Sequence, residues 1–368
     1  MATVHHILRR AEEDEELNCG AGGGSDELFG LRVASIFIIM VGSMFGALFP
    51  VLAKRTRWLS SHVPNGLFEF AKYFGSGVII ATAFIHLLDP GLEALGSPCL
   101  APGWSDYPYA LAIALLSIFL IFIVELIAFR WGTAKLAKLG VSHDAHGHGV
   151  GSHAAHGPES NRQLGGDSSN PQEIAQIEKF PTDVESNASQ HKALASHYDD
   201  HAVVDSAITQ IIGVGILEFG VVLHSVLIGL TLAVDPDFKV LFVVIVFHQT
   251  FEGLGIGSRL ACMELPQKYN YVPILGALIY GVTTPIGVAA GLGVRSTYNP
   301  GSTTASIVSG VLDSFSAGIL IYTGLVELLA HEFLFNKEMI NGSNAKLAYA
   351  IGCMLLGCGI MALLGRWA

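Results

Sequence analysis

Phe247-His248-Gln249-Thr250-Phe251-Glu252-Gly253 follows the run LFVVIV and precedes LGIGS. A stretch apolar enough to enter a bilayer thus carries an imidazole, an amide and a carboxylate within little more than one helical turn. Hydrocarbon disfavours all three, and an acid at the centre of a spanning helix costs about 2.5–3.5 kcal/mol on insertion scales. Residues kept against such a cost have a partner or a job.

The composition supports the membrane reading. Of 368 residues, 51% are hydrophobic and 14% charged, and the mean hydropathy is +0.51. A soluble domain carries roughly 25% charged residues, so this chain lacks the surface that would dissolve it. The net charge of −11 is concentrated in the acidic amino terminus and a long polar middle, and argues against nucleic acid. The start, MATVHHILRRAEEDEELNCG, has no apolar core of signal-peptide type, so the first spanning helix is expected to serve as the targeting signal.

Apolar runs of about 20 residues, enough to cross a bilayer core, occur at 31–53, 67–89, 108–130, 207–233, 239–262, 271–294, 305–331 and 345–365. The expected fold is an all-α polytopic membrane protein of eight transmembrane helices in a 3+2+3 order. Four regions follow: an acidic extracellular segment 1–30, helices 1–3 over 31–130, a polar segment 131–205, and helices 4–8 over 206–368. Lys54, Arg55 and Arg57 follow helix 1, Arg130, Lys135 and Lys138 follow helix 3, Arg259 and Lys268 follow helix 5, and Lys337 and Lys346 follow helix 7. The 2–3 connection PGLEALGSPCLAPGWSDY has no basic residue. By the positive-inside rule both termini lie outside and segment 131–205 is cytosolic, with Arg9, Arg10 and Arg32 voting the other way. Three helices on either side of a central pair then run in opposite senses, the layout of an inverted repeat.

Helix 4 carries LEFGVVLHSVLIGL and helix 5 carries FHQTFEG, joined by the turn VDPDF. His224 and His248 flank Pro236 at equal separations along the chain. Both imidazoles then sit roughly 18 Å from the turn, near mid-bilayer. Helices joined by so short a loop are expected to be antiparallel neighbours, which lets the two histidines face each other. Glu252 shares a helix face with His248 at i+4. Two imidazoles and a carboxylate make a three-ligand set for zinc, with water as a fourth ligand; the same donors admit Fe(II), Mn(II), Co(II), Ni(II) or Cu(II). The alternative reading of these residues is interhelical hydrogen bonding. Gly229, Gly253, Gly255 and Gly257 favour close backbone approach.

HSVLIG on one helix and HQTFEG on the next resemble the paired signatures of the ZIP (Zrt-, Irt-like protein) family of divalent metal transporters, most of all its fungal and plant zinc and iron uptake branch. The resemblance runs along essentially the whole chain. It implies that His224, His248 and Glu252 form the principal transport site, with Ser225 and Gln249 lining it. Some family members have a second acid four residues after the helix 4 histidine; here Ile228 stands there. An acid that would precede the helix 6 proline is replaced by Thr284, before Pro285. Both departures favour one transported metal at a time. The family also implies that helices 1, 4, 5 and 6 move against helices 2, 3, 7 and 8, and Pro285 offers helix 6 a kink point.

In ATAFIHLLDPGLEAL, residues His86, Asp89 and Glu93 form an acidic lip at the outer end of helix 2, suited either to concentrating cations or to simple interfacial solvation. Glu327 and His331, four apart at the cytosolic end of helix 7, match exit-side ligands of the family. Glu125, Glu218 and Asp313 are either proton carriers or buried bonding partners. Segment 131–205 holds eight of the fifteen histidines. Five lie in HDAHGHGVGSHAAHG (His143, His146, His148, His153 and His156) and three follow as His191, His197 and His201. Without amphipathic period, the segment is expected to be disordered and to trap or sense metal weakly, or else to be a plain linker. Cys19 and Cys99 both fall outside on this topology and are expected to pair. Asn187 and Asn341, in the two N-x-S sequons, fall on the cytosolic side and should carry no glycan.

The functional expectation is a secondary transporter that carries Zn2+ into the cytosol by alternating access, with Fe2+ and other divalent transition metals as further candidates. It is not an enzyme. Its partners are divalent metal ions and the lipid bilayer, with a homodimer as one open assembly. It lies in the plasma membrane or, alternatively, in an organelle membrane with the same cytosolic side. The rival classes are a membrane metal sensor or receptor, and an intramembrane zinc hydrolase. Against the hydrolase, His331-Glu332-Phe333-Leu334-Phe335 begins the HExxH pattern and fails at its last position.

Overall fold

The computed structural model of the chain describes residues 19–20, 27–138, 188–263 and 265–367. Among them there is no strand, and eight helices are long and apolar enough to span a membrane. They are α1 Phe29–Arg55, α2 Gly66–Leu95, α3 Tyr109–Lys138, α4 Ala188–Val234, α5 Phe238–Cys262, α6 Val272–Val294, α7 Thr303–Leu334 and α8 Asn344–Leu364. Backbone hydrogen bonds have no water to turn to in hydrocarbon, so each run that crosses satisfies them internally as a helix. Residues 131–138 and 188–205, read from sequence as part of the polar segment, continue α3 and α4 as helix. Good helix formers such as those in AKLAK and KALAS explain the extension. His191, His197 and His201 fall on the extension of α4, whereas His143, His146, His148, His153 and His156 lie outside the described residues, as do most of segment 1–30 and Asn187.

The surface is apolar in the way lipid requires. Phe37, Val41 and Phe45 of α1, Leu116 and Phe119 of α3, and Leu355 and Leu363 of α8 all point outward and are exposed. α3 and α8 are the least buried spans, while α2, α5, α6 and α7 are buried across half or more of their most apolar windows.

Two sets of helices emerge from the packing. α1 lies against α5 and α6, and α4 lies against α6; α2 lies against α8, and α7 against α3 and α2. The sets meet where α2 touches α5 and α7 touches α4. α4 and α5, though joined by a tight turn, touch each other far less than they touch α6 and α1. At the α2–α5 seam the backbones themselves meet: a Cβ added to Gly255 would stand 2.9 Å from the carbonyl oxygen of Gly75. Only glycine fits at that approach, and the seam it leaves is smooth.

The end that carries the α4–α5 turn is firmly tied. Cys19 and Cys99 form a disulfide. Asn299 donates to the Gly20 carbonyl (2.8 Å) and Thr303 to the Cys99 carbonyl (2.9 Å), so the amino-terminal segment meets the α2–α3 and α6–α7 loops. Arg32, completely buried, explains its own vote against the positive-inside rule. Its guanidinium donates to the carbonyls of Leu232 (3.1 Å), Ala233 (3.1 Å), Asp235 (2.7 Å) and Glu27 (2.9 Å) and stacks on Phe238 at 4.5 Å. These include orphan carbonyls at the carboxyl end of α4, where a cation also meets the helix dipole.

Candidate metal site

His224 and His248 lie equally far along their helices from the ends that meet at the α4–α5 turn, Val234 and Phe238. Asp313 stands at the same separation from the start of α7 at Thr303, and His86 at almost the same from the end of α2 at Leu95. At 1.5 Å per residue all four sit about 14–15 Å below that face. They converge. The His224 and His248 rings are 5.4 Å apart, and the His86 and His248 rings 4.7 Å apart. His248 Nε2 is 3.9 Å from Glu252 Oε2, and His224 Nδ1 is 3.9 Å from Asp313 Oδ1.

Local structure fixes the approach of each group. His86 sits in a π-helical stretch, Thr82–Leu88, a wider turn of the kind that accompanies functional sites. Its Nε2 is 3.0 Å from the Met361 carbonyl, which only accepts; Nε2 therefore carries the proton, and Nδ1 keeps its lone pair. Gln249 donates through Nε2 to Thr284 Oγ1 at 2.5 Å. Tyr280 donates to the Gln249 carbonyl at 2.6 Å, and its hydroxyl lies 3.4 Å from Glu252 Oε2. Thr284 thus orients the Gln249 amide.

What remains unsatisfied matters most. Of twelve buried side-chain polar atoms without a hydrogen-bond partner among the described residues, seven belong to this cluster. They are both ring nitrogens of His224 and of His248, Ser225 Oγ, Gln249 Oε1 and Glu252 Oε1. Buried polar groups in native proteins are almost always paired, and leaving one unpaired costs about 1–3 kcal/mol. Interhelical bonding accounts for Gln249 Nε2, Glu252 Oε2 and His86 Nε2 but not for the ring nitrogens of His224 and His248. Among the described residues no three histidine, cysteine or carboxylate side chains stand close enough together to hold a metal ion. Zinc ligands in a tetrahedron stand about 3.3 Å apart, about half an ångström less than the 3.9 Å between His248 and Glu252.

The other residues singled out in the sequence lie elsewhere. Asp89 and Glu93 are exposed near the carboxyl end of α2, whereas His86 is buried. Glu327 and His331 form a pair at 3.1 Å in a cavity of about 490 Å3 between α3, α4, α5 and α7. Glu125, which accepts from the Tyr322 hydroxyl, shares that cavity. The cavity lies on the far side of the site from the α4–α5 turn; its wall residue Leu217 is about two helical turns, roughly 10 Å, from His224. Beside it Glu332 pairs with Lys72 (2.5 Å) and Arg259 (2.8 Å). Glu218 is partly buried near Gly276, with one oxygen unpartnered.

The sequence reading assigned His86 to the outer lip and left Asp313 undecided. The depth rule that matched His224 to His248 finds both, once α2 is carried to Leu95 and α7 begun at Thr303.

The sequence model of the ZIP Zinc transporter family matches residues 29–365. Zinc-regulated transporter 2 of Saccharomyces cerevisiae is 38% identical to the chain, covering 97% of it and 99% of the yeast protein. Zinc-regulated transporter 1 of the same yeast is 42% identical over 92% of the chain and 88% of its own length. Zinc transporter 9 of Oryza sativa subsp. japonica is 32% identical over 92% of the chain and 89% of its own length.

Proposed function

The chain belongs to the ZIP zinc transporter family, and from that premise we propose that it carries zinc into the cytosol through the cluster of His224, His248 and Glu252. One observation carries the assignment of the site: most of the unpaired buried donors and acceptors gather at one depth of the bundle. A metal ion satisfies imidazole nitrogens and carboxylate oxygens together, as no single protein partner does. His86 supplies a further nitrogen through Nδ1, while Ser225 and Gln249 offer oxygens. Zinc is the substrate; Fe(II) is a second candidate, since imidazole and carboxylate accept it as well.

Alternating access fits the packing. His224, His248 and Glu252 stand on α4 and α5 of one helix set, and His86 and Asp313 on α2 and α7 of the other. Sliding along the Gly75–Gly255 seam would carry the first three toward the 490 Å3 cavity, with Glu327 and His331 as exit-side groups. The disulfide supports an oxidising compartment for the α4–α5 turn, and hence both termini outside and segment 131–205 in the cytosol. The plasma membrane is the proposed location. The named relatives are transporters, which supports a carrier over a hydrolase or a receptor.

The test is uptake of radioactive zinc by cells expressing the protein and its His224→Ala, His248→Ala and Glu252→Ala variants at matched surface levels. Loss of uptake in all three is expected. Uptake that survives in any two removes the site assignment, although not the family.

A further inference from the structure

Resting on the site reading above, we infer that Asp313 of α7 is a positioning residue for zinc binding: its carboxylate accepts a hydrogen bond from His224 Nδ1–H when the metal takes Nε2. A neutral imidazole has one lone pair for the metal and one N–H that needs an acceptor. Metal-bound histidines almost always give that proton to a carboxylate, a carbonyl or water, which fixes the tautomer and the ring orientation. His86 has the Met361 carbonyl. His224 has neither ring nitrogen bonded, and Asp313 Oδ1 is 3.9 Å from its Nδ1.

The surroundings favour this pairing. Both side chains are nearly buried, 4% and 12% exposed, so little water competes for either. Tyr298, in the α6–α7 loop, lies near enough that the Asp313 charge adds to burial in raising its phenol. The gap of 3.9 Å needs a closure of about 1 Å to become a hydrogen bond, similar in scale to the closure His248 and Glu252 require around the ion.

The contact also crosses the seam between the helix sets. His224 belongs to α4 and Asp313 to α7, so the pairing exists only while the two sets stand as they do here. Once that gap closes around the ion, the His224 ring is held in its binding orientation, and it is released when α4 slides. Asp313 would make affinity depend on the position of the site.

The experiment is equilibrium Zn2+ titration of the purified protein, with Asp313→Ala, Asp313→Asn, His224→Ala and the His224→Ala/Asp313→Ala double variant. Removing Asp313 should weaken zinc binding about tenfold, the lower end for outer partners of metal ligands. Asp313→Asn keeps an acceptor oxygen and should recover part of that loss; it also serves if Asp313→Ala does not fold. In the His224→Ala background, removal of Asp313 should cost nothing further, because a residue that acts through His224 has nothing left to position. An unchanged affinity in Asp313→Ala beside a weakened His224→Ala overturns this inference alone. A loss of equal size in both backgrounds also overturns it and makes Asp313 a ligand or structural residue in its own right. If His224→Ala binds zinc like the wild type, the site reading and this inference fall together.

Discussion

Arg32 and the His224–His248–Glu252 cluster are both buried polar groups inside the same apolar bundle, and they are finished in opposite ways. Arg32 donates to four carbonyls and stacks on Phe238, so it lacks neither charge compensation nor geometry. The mid-membrane cluster, deeper in the bundle, leaves seven polar atoms without partners. A polar residue in a membrane protein does not announce a ligand site by its presence. On the proposed reading incompleteness is the signal: the paired group is scaffold, and the unpaired groups are the metal site.

That contrast can be broken, and the sharpest test is at Glu252. Glu252→Ala should lower zinc uptake more than about a hundredfold, since a lost ligand costs more than a lost outer partner, yet it should leave the melting temperature unchanged or higher, because a buried acid with one oxygen unpaired is gone. Equal losses of uptake and stability would erase the distinction. Arg32→Ala should behave in reverse: about 2–3 kcal/mol less stable, from charge-assisted bonds left as bare carbonyls, with zinc affinity in the surviving folded protein intact. Thermal unfolding read beside zinc titration checks both variants.

His86→Ala sharpens the contrast further, since His86 is half finished: one nitrogen is bonded and one is kept free. It should raise the half-saturating zinc concentration about tenfold with only slight loss of stability; a drop in stability with no change in affinity would make His86 part of the scaffold. The smallest effect expected is from pH. Ligands that take up a proton are lost to the metal, so zinc binding should weaken as pH falls, while the Arg32 cap should hold throughout. Zinc affinity that stays flat through the imidazole range would count against direct ligation.

The eight spans were legible because each is long, apolar and internally bonded, properties of a segment and not of its neighbours. The meeting of His224 and His248 was legible for a related reason: they flank Pro236 symmetrically, so depth could be counted along the chain. His86 was misplaced by its sequence neighbours Asp89 and Glu93, which are exposed while His86 points inward. The reading ended helix 2 at 89, whereas the helix runs on to Leu95, and that extra length sets His86 nearly two turns deeper. Nor did the short α4–α5 turn mean that the two helices pack mainly on each other; α6 and α1 take those places.

By itself, then, the sequence determined the membrane class, the helix count, the family resemblance and the residues that bear metal-binding chemistry, because hydropathy and side-chain type are properties of single segments. Tertiary structure alone decided which of those groups meet and which are already satisfied: that Arg32 caps α4, that His86 and Asp313 join the cluster from the opposite helix set, and that Thr284 holds Gln249. The physical reason is that pairing in a low-dielectric interior depends on distances of a few ångströms between helices far apart in the chain, and no count along one helix contains them.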